Sequence, residues 1–137
     1  MNENKMRWTG NVLTGLFAAF ILMASVAPKL LGADVATDTM ISLGWPAEYT
    51  LMIGLVEFVL LVLYLIPRTS VLGAVLMMGL LGGAMATQIR VGSPLFSHIL
   101  FSVYLGLFMW GGLWLRSAAL RSVFPFVSQG LTKTAVE

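Results

Sequence analysis

The stretch that decides the fold runs from Ala47 to Ile66 and reads AEYTLMIGLVEFVLLVLYLI. About twenty residues of this apolar character, coiled as an α-helix, are long enough to cross the hydrocarbon core of a bilayer. Glu48 stands at its start, but Glu57 falls near the middle, ~15 Å from either membrane surface, where an ionised group is costly. The stretch therefore predicts a transmembrane helix that carries a carboxyl group deep inside the membrane.

The composition extends this interpretation to the whole chain. Of the 137 residues, 58% are apolar and 10% are charged, whereas soluble domains carry ~25% charged residues. The excess falls in four apolar stretches, so we expect one all-α domain, an integral membrane four-helix bundle. The predicted spans are about 8–31, 47–66, 70–89 and 95–115, followed by a C-terminal tail over 117–137.

Several classes of function are excluded or disfavoured by residue counts. The chain has no cysteine, which rules out disulfides, redox cysteine pairs and cysteine-ligated clusters. Its only histidine, His98, cannot form a bis-histidine haem site within one chain, and we predict no metal site. No intrinsic cofactor is expected, so any cofactor would be bound without metal ligands or belong to a partner. The net charge is only +2, and the basic residues form no patch or stripe. Both observations argue against a nucleic-acid-binding protein.

The N-terminal stretch has features of both a signal peptide and a membrane span. Lys5 and Arg7 precede an apolar run that ends Ala24-Ser25-Val26-Ala27, as in a cleavable signal peptide. Because Pro28 follows the apparent cleavage point and three more apolar stretches come later, we interpret it as the first transmembrane helix. Pro28 lacks an N–H group and predicts a kink there. Residues 32–46 are then expected to form a loop.

Periodicity predicts which helix faces pack inside the bundle. Steps of three and four residues place small and polar groups on one stripe of each of the first two spans. Small residues let membrane helices approach closely, so we expect both stripes to face other helices, with Glu57 pointing inward. In the third span, Gly79-x-x-x-Gly83 predicts another close helix contact. The stripes are Asn11, Gly15, Ala18, Leu22, Ser25, Lys29 and Gly32 in span one, and Ala47, Thr50, Gly54, Glu57, Leu61 and Tyr64 in span two.

The basic residues predict the orientation. With both termini in the cytoplasm, six basic residues lie on that side and two on the other, as the positive-inside rule requires. We therefore expect an N-in, C-in protein. The six are Lys5, Arg7, Arg68, Arg116, Arg121 and Lys133, and the two are Lys29 and Arg90.

In this orientation the polar residues predict an outward-opening funnel. Lys29, Gln88, Arg90 and His98 would line its outer part, and Glu57 would form its base. We assign Glu57 and His98 as candidate catalytic residues that exchange protons. The candidate ligand-binding residues are Lys29, Gln88, Arg90, Ser25 and Tyr64. Counting from the helix ends separates Lys29 from Glu57 by ~12 Å along the bundle, so contact would need extended side chains or a bridging water.

Structural interpretations of the same residues remain open. Glu57 can stay protonated, or serve only as a hydrogen-bonding contact between helices. Lys29 and Arg90 can extend to lipid headgroups, and His98 can be an interfacial hydrogen-bonding residue.

Short motifs in a fixed order carry a family resemblance. They are Pro28-Lys29-Leu30, Leu43-Gly44-Trp45-Pro46, Glu57, Pro67-Arg68-Thr69-Ser70-Val71-Leu72-Gly73-Ala74, Gly82-Gly83-Ala84 and Arg90-Val91-Gly92-Ser93-Pro94. From about residue 10 to 116 the chain resembles the DoxX-like family of small bacterial membrane proteins. Many relatives carry a histidine where this chain has Gln88. The resemblance implies a four-helix, multi-pass protein of the bacterial inner membrane. It also implies a redox-associated role, because the wider DoxX group is associated with quinone-linked sulfur oxidation and with membrane complexes that handle oxidative stress.

Three classes of function follow. The first is a redox-associated accessory subunit that binds a quinone-like or other apolar small molecule in the funnel, with a membrane or redox protein as partner. The second is an interaction protein, a scaffold or chaperone, that uses its glycine-rich third span as a contact face, and a homo-oligomer is also plausible. The third is an intramembrane isomerase or hydrolase with Glu57 as general acid or base. In each case the bilayer is the surrounding partner.

Overall fold

A computed structural model describes residues 1–127. Within this range the chain forms six helices and no strand, which confirms the all-α class. The helices are α1 (Glu3–Leu30), α2 (Asp34–Ser42), α3 (Tyr49–Leu65), α4 (Ser70–Arg90), α5 (Leu95–Arg116) and α6 (Ala118–Val123). We call the two ends of the molecule the α2 end and the α6 end. The last part of the predicted tail, including Lys133, lies outside the described residues.

Three of these helices have the length and apolar character needed to cross a membrane. They are α1, α4 and α5. Helix α3 is the most apolar of the long helices but has 17 residues. Large apolar side chains such as Leu51, Leu55, Val59, Val75 and Leu107 are exposed on the outer faces, where water would be a poor solvent. These helices belong to a membrane protein whose exposed apolar faces contact lipid.

The long helices pack side by side through a buried core. Helix α1 packs along α5, and its C-terminal end also packs on α3; α3 packs on α4, which packs on α5. The core between them consists of apolar side chains that are almost completely buried. It includes Phe17, Ile21, Leu61, Tyr64, Ala74, Met77, Met109 and Leu113.

The closest helix contacts occur at glycines other than the predicted pair. A Cβ atom added to Gly10 of α1 would lie 2.6 Å from the backbone nitrogen of Arg116 and 2.7 Å from the carbonyl oxygen of Gly112. By contrast, Cβ atoms at Gly79 and Gly83 would have no described atom within 4 Å. The prediction that this pair makes a close contact is therefore wrong within residues 1–127. The pair lies on an open face of α4.

The buried stripe of α1 also differs from the predicted one. Its N-terminal part buries Gly10, Thr14, Phe17 and Ile21, whereas Asn11 and Gly15 are exposed. Residues Leu22–Val26 then form a π-helical turn, and the Ala27 amide donates to the Leu22 carbonyl. A π turn holds more residues than an α turn, so it rotates the following side chains around the helix. This rotation brings Ser25 and Lys29 towards α3.

The predicted loop over 32–46 contains a helix, α2, and its prediction as a loop throughout is wrong. The helix begins after Ala33, which is extended, and Asp34 in its first turn interacts favourably with the helix dipole. Met40 is buried, while most of the other residues face outward. Gly32 and Gly44 flank the helix with positive φ angles of 66° and 81°, which let the chain turn sharply at each end. Helix α2 therefore covers one end of the molecule.

Candidate functional site

The site begins with the stripe predicted for α3. The buried residues of this helix are Thr50, Gly54, Glu57, Leu61 and Tyr64, which confirms the predicted inward face from Thr50 onward. Ala47 precedes the helix and is exposed. Glu57 is 5% exposed, so the residue is largely removed from both water and lipid. A buried carboxylate needs a partner, and α1 supplies it.

Lys29 and Ser25 of α1 hold the Glu57 carboxylate. The Lys29 ammonium Nζ lies 2.8 Å from Glu57 Oε2 and forms an ion pair in which Glu57 is buried and Lys29 partly buried. The Ser25 hydroxyl donates to the same oxygen at 2.9 Å. Lys29 also donates to the Ser25 hydroxyl and, at 3.2 Å, to the Ser25 carbonyl. We call Ser25, Lys29 and Glu57 the charge cluster.

This contact corrects the expected separation of Lys29 and Glu57. The Lys29 side chain packs on Gly54, where an added Cβ atom would lie 2.7 Å from the Lys29 Cβ. Because Gly54 precedes Glu57 by three residues, Lys29 stands only one turn away, ~4.5 Å along the bundle. The distance counted from helix ends was too long because it assumed that the ends of α1 and α3 were level.

Two clefts open beside the charge cluster at the α2 end. The first, of about 390 Å³, runs between the end of α1 and the start of α3, with Lys29, Thr37, Glu48 and Thr50 among its lining residues. The second, of about 210 Å³, lies between α1 and α2. Three of its lining residues are polar: Ser25, Lys29 and Thr39. The other lining residues are apolar: Ala24, Pro28, Val35, Ala36 and Met40. Lys29 lines both clefts.

Tyr64 belongs to a different polar group. It follows Glu57 by seven residues, ~10 Å along α3 towards the α6 end. Its hydroxyl donates to the Met109 carbonyl at 2.8 Å and lies 3.3 Å from Thr14 Oγ1. Since a tyrosine has one hydroxyl proton, Thr14 must donate to Tyr64. The Arg116 guanidinium lies 5.3 Å from the centre of the ring. Tyr64 itself is completely buried, and this polar group joins α1, α3 and α5.

The remaining predicted site residues lie apart from the charge cluster. Arg90 donates to the Leu43 carbonyl at 2.7 Å, which ties the end of α4 to the end of α2. His98 is exposed, and its Nδ1 lies 2.8 Å from the hydroxyl of Ser97. Gln88 is half-buried. Across residues 1–127, no hydrogen bond links these three side chains to Glu57, and none of them lines the two clefts beside Lys29. The four-helix funnel therefore stays a prediction.

Sequence reasoning missed two features of this end of the molecule. The Thr50 hydroxyl is buried without a hydrogen-bond partner among the described residues, and so is the Gln88 side-chain oxygen. Thr50 was assigned only a packing role, and an unpaired hydroxyl has no sequence signal. In the described part of the chain, no group of three or more histidine, aspartate or glutamate residues is placed to hold a metal ion.

Comparisons with known proteins place the chain in a family. No curated protein and no solved structure matches the sequence significantly. The model of the DoxX-like family matches residues 12–112, which extend from α1 to α5 and include every residue of the charge cluster. The chain therefore belongs to the DoxX-like family.

Proposed function

We propose that this protein binds the polar head of an apolar small molecule at the charge cluster. The observation that carries the proposal is the partly buried ion pair of Lys29 and Glu57, whose lysine lines two open clefts. Ligand pockets combine apolar walls with a few convergent polar groups, and the cleft between α1 and α2 has this character. The charge cluster would orient the head, and the cleft would hold the apolar body.

The energetics of burial support a functional role for the pair. Removing two charges from water costs free energy that their mutual attraction often fails to recover, so a well-packed apolar pair is frequently as stable or more stable. Ionisable groups within a membrane accordingly mark binding sites and proton pathways in most cases. A fold that needed only a helix contact between α1 and α3 would not require Lys29 and Glu57.

The proposal includes four membrane crossings with both termini in the cytoplasm of a bacterial cell and the α2 end facing outward. Helix α3 spans ~25 Å, within the range of short transmembrane helices. The distribution of basic residues supports this orientation, since Lys29 and Arg90 are the only lysine and arginine residues at the α2 end within residues 1–127. The charge cluster would then be reached from the outer leaflet of the inner membrane.

A quinone is our candidate for the ligand, and a redox-associated accessory subunit our candidate for the role. A quinone has an oxygen-bearing head and an apolar body, which suit the polar and apolar parts of the cleft. The wider DoxX group's association with quinone-linked oxidation supports the same choice. Because the chain has no cysteine, electrons would be carried by the ligand or by a partner protein.

Mass spectrometry of gently purified protein tests the proposal. Small molecules and proteins that co-purify from the native membrane are compared between the natural chain, Glu57→Gln and Glu3→Gln. Glu3 is the matched control because it forms the other described ion pair, with Arg121 at 2.8 Å, far from the clefts. An apolar molecule lost only in Glu57→Gln, while that variant still shows a cooperative thermal unfolding transition, supports the proposal. Equal small-molecule content in all three contradicts it.

A second candidate function is supported by the open face of α4. Gly79 and Gly83 have space beside them that no described residue occupies, as a close contact with another membrane protein or a second copy would require. A scaffold or assembly protein with this contact face predicts a protein partner that is retained in Glu57→Gln. Recovery of such a partner without any small molecule would favour this second function.

A further inference from the structure

The hydrogen-bonding capacity of the charge cluster restricts the chemistry of its ligand. Lys29 has three N–H donors, and three acceptors surround it: the Ser25 hydroxyl, the Ser25 carbonyl and Glu57 Oε2. The Ser25 hydroxyl has one proton, which it donates to Glu57 Oε2. All donors of the charge cluster are therefore already used, and none remains for a ligand carbonyl.

The free position of the charge cluster is an acceptor. Both hydrogen bonds to Glu57 fall on Oε2, and Oε1 has no partner among residues 1–127. Oε1 is also not one of the fully buried unpaired side-chain atoms of this range, which are Thr50 Oγ1, Gln88 Oε1 and Arg116 Nε. The Glu57 side chain keeps 7% of its surface exposed. Glu57 is not among the residues that line either cleft, but Ser25, which donates to its other oxygen at 2.9 Å, lines the second cleft.

The charges of Lys29 and Glu57 further restrict which ligand heads can bind. Lys29 already neutralises Glu57, so the charge cluster has no net charge when both are ionised. A cationic or anionic head would bring an uncompensated charge into a region of low dielectric constant, which is costly. A neutral donor avoids this cost and pairs the free carboxylate oxygen.

We propose that the charge cluster selects an apolar molecule with a neutral hydroxyl head, an alcohol or a phenol, which donates its hydrogen bond to Glu57 Oε1. This inference rests on the proposed function and specifies its ligand class. Among the redox forms of a quinone, the reduced hydroquinone has the required hydroxyl and the oxidised quinone lacks it. The apolar body lies against Ala24, Pro28, Val35 and Met40 in the second cleft.

Three matched probes test the inference with the full-length protein in lipid nanodiscs. They are a short-chain alkyl hydroquinone, its dimethyl ether and the corresponding quinone, with affinity measured by calorimetry under nitrogen. Because a hydrogen bond to a charged group strengthens binding, we expect the hydroquinone to bind with roughly 10- to 100-fold higher affinity than either of the other two probes. Glu57→Gln removes the charge and reduces this preference to a few-fold, whereas Glu3→Gln leaves it unchanged.

The outcomes separate this inference from the proposed function. Equal or tighter binding of the ether or the quinone overturns the hydroxyl preference, and the proposed function still stands if that binding is lost in Glu57→Gln. Binding of the hydroquinone that is unaffected by Glu57→Gln overturns the assignment to Oε1. Failure of all three probes overturns the hydroxyl class represented here, while molecules extracted from the native membrane continue to test the proposed function.

Discussion

Glu57 and Lys29 depend on each other for their burial. Each side chain is largely removed from solvent, with 7% and 16% of its surface exposed, and each is the other's only opposite charge within 4.0 Å in the described chain. Neutralising one partner therefore leaves the other as an unpaired charge in a low-dielectric region, which is far more costly than removing both.

This dependence predicts non-additive effects of substitution. Lys29→Met should lower the free energy of unfolding by about 3 kcal/mol or more, because Glu57 stays buried without its cation. The double variant Lys29→Met/Glu57→Leu, which replaces both with apolar side chains of similar size, should recover most of that loss. Thermal unfolding of the purified protein in one detergent measures both. A double variant that is no more stable than Lys29→Met would show that the pair is not energetically coupled.

Periodicity within one helix predicted the inward face of α3 but not that of the N-terminal part of α1, where Asn11 and Gly15 are exposed. The stripe of α3 follows from helical periodicity, and Glu57 faces inward as predicted. The contact with Lys29 depends on how far α1 and α3 slide past each other, which periodicity within either helix does not encode. The π turn before Pro28 adds a rotation that also has no pattern in the sequence.

At the scale of elements, the helix contacts depend on backbone proximity at particular glycines. Gly10 of α1 approaches the backbone of α5 so closely that a methyl group has no space. Gly79 of α4 has the same residue type in an equally helical position, but no described atom lies near its missing side chain. The two positions form a matched pair for testing how α1 and α5 pack.

Gly10→Ala should lower the free energy of unfolding by about 1–3 kcal/mol, because the new methyl group forces α1 and α5 apart. Gly79→Ala should be neutral or slightly stabilising, since alanine favours a helix and meets no atom. The melting temperatures of the two variants and the natural chain, measured in the same detergent, test these expectations. Comparable losses in both variants would mean that α1 and α5 do not meet at Gly10 as described.

The sequence could not assign these glycines to the right interfaces. The spacing of Gly79 and Gly83 is the pattern associated with helix association, yet Gly10 and Gly112 lie on different helices and form no motif. A contact between two helices that are far apart in the sequence becomes visible only in the folded structure. Helix α2 was missed for a related reason, since its position depends on Met40 packing and on Arg90 of α4.

At the scale of the whole molecule, the proposed topology depends on α3 crossing the membrane. If it crosses, Ser42 and Ser97 face outward, while Asn4 and Pro67 face the cytoplasm. If it does not, Ser42 and Pro67 lie on the same side. The absence of cysteine means that a single introduced thiol can be labelled without background.

Labelling in intact cells with a membrane-impermeant thiol reagent tests this arrangement. Ser42→Cys and Ser97→Cys should react from outside, and Asn4→Cys and Pro67→Cys should react only after permeabilisation. These substitutions leave every basic residue in place, so they do not disturb the charges that favour the orientation. Reaction of Pro67→Cys from outside together with Ser42→Cys would rule out the fourth crossing.

The central claim is that a small molecule occupies the cleft beside Glu57 and Lys29. Its most direct test is the amount of co-purified apolar molecule per protein chain, measured by mass spectrometry for the natural chain, Glu57→Gln and Glu3→Gln. We predict close to one molecule per chain in the natural protein and in Glu3→Gln, and almost none in Glu57→Gln. The same amount in all three proteins, or none in the natural one, would contradict the claim.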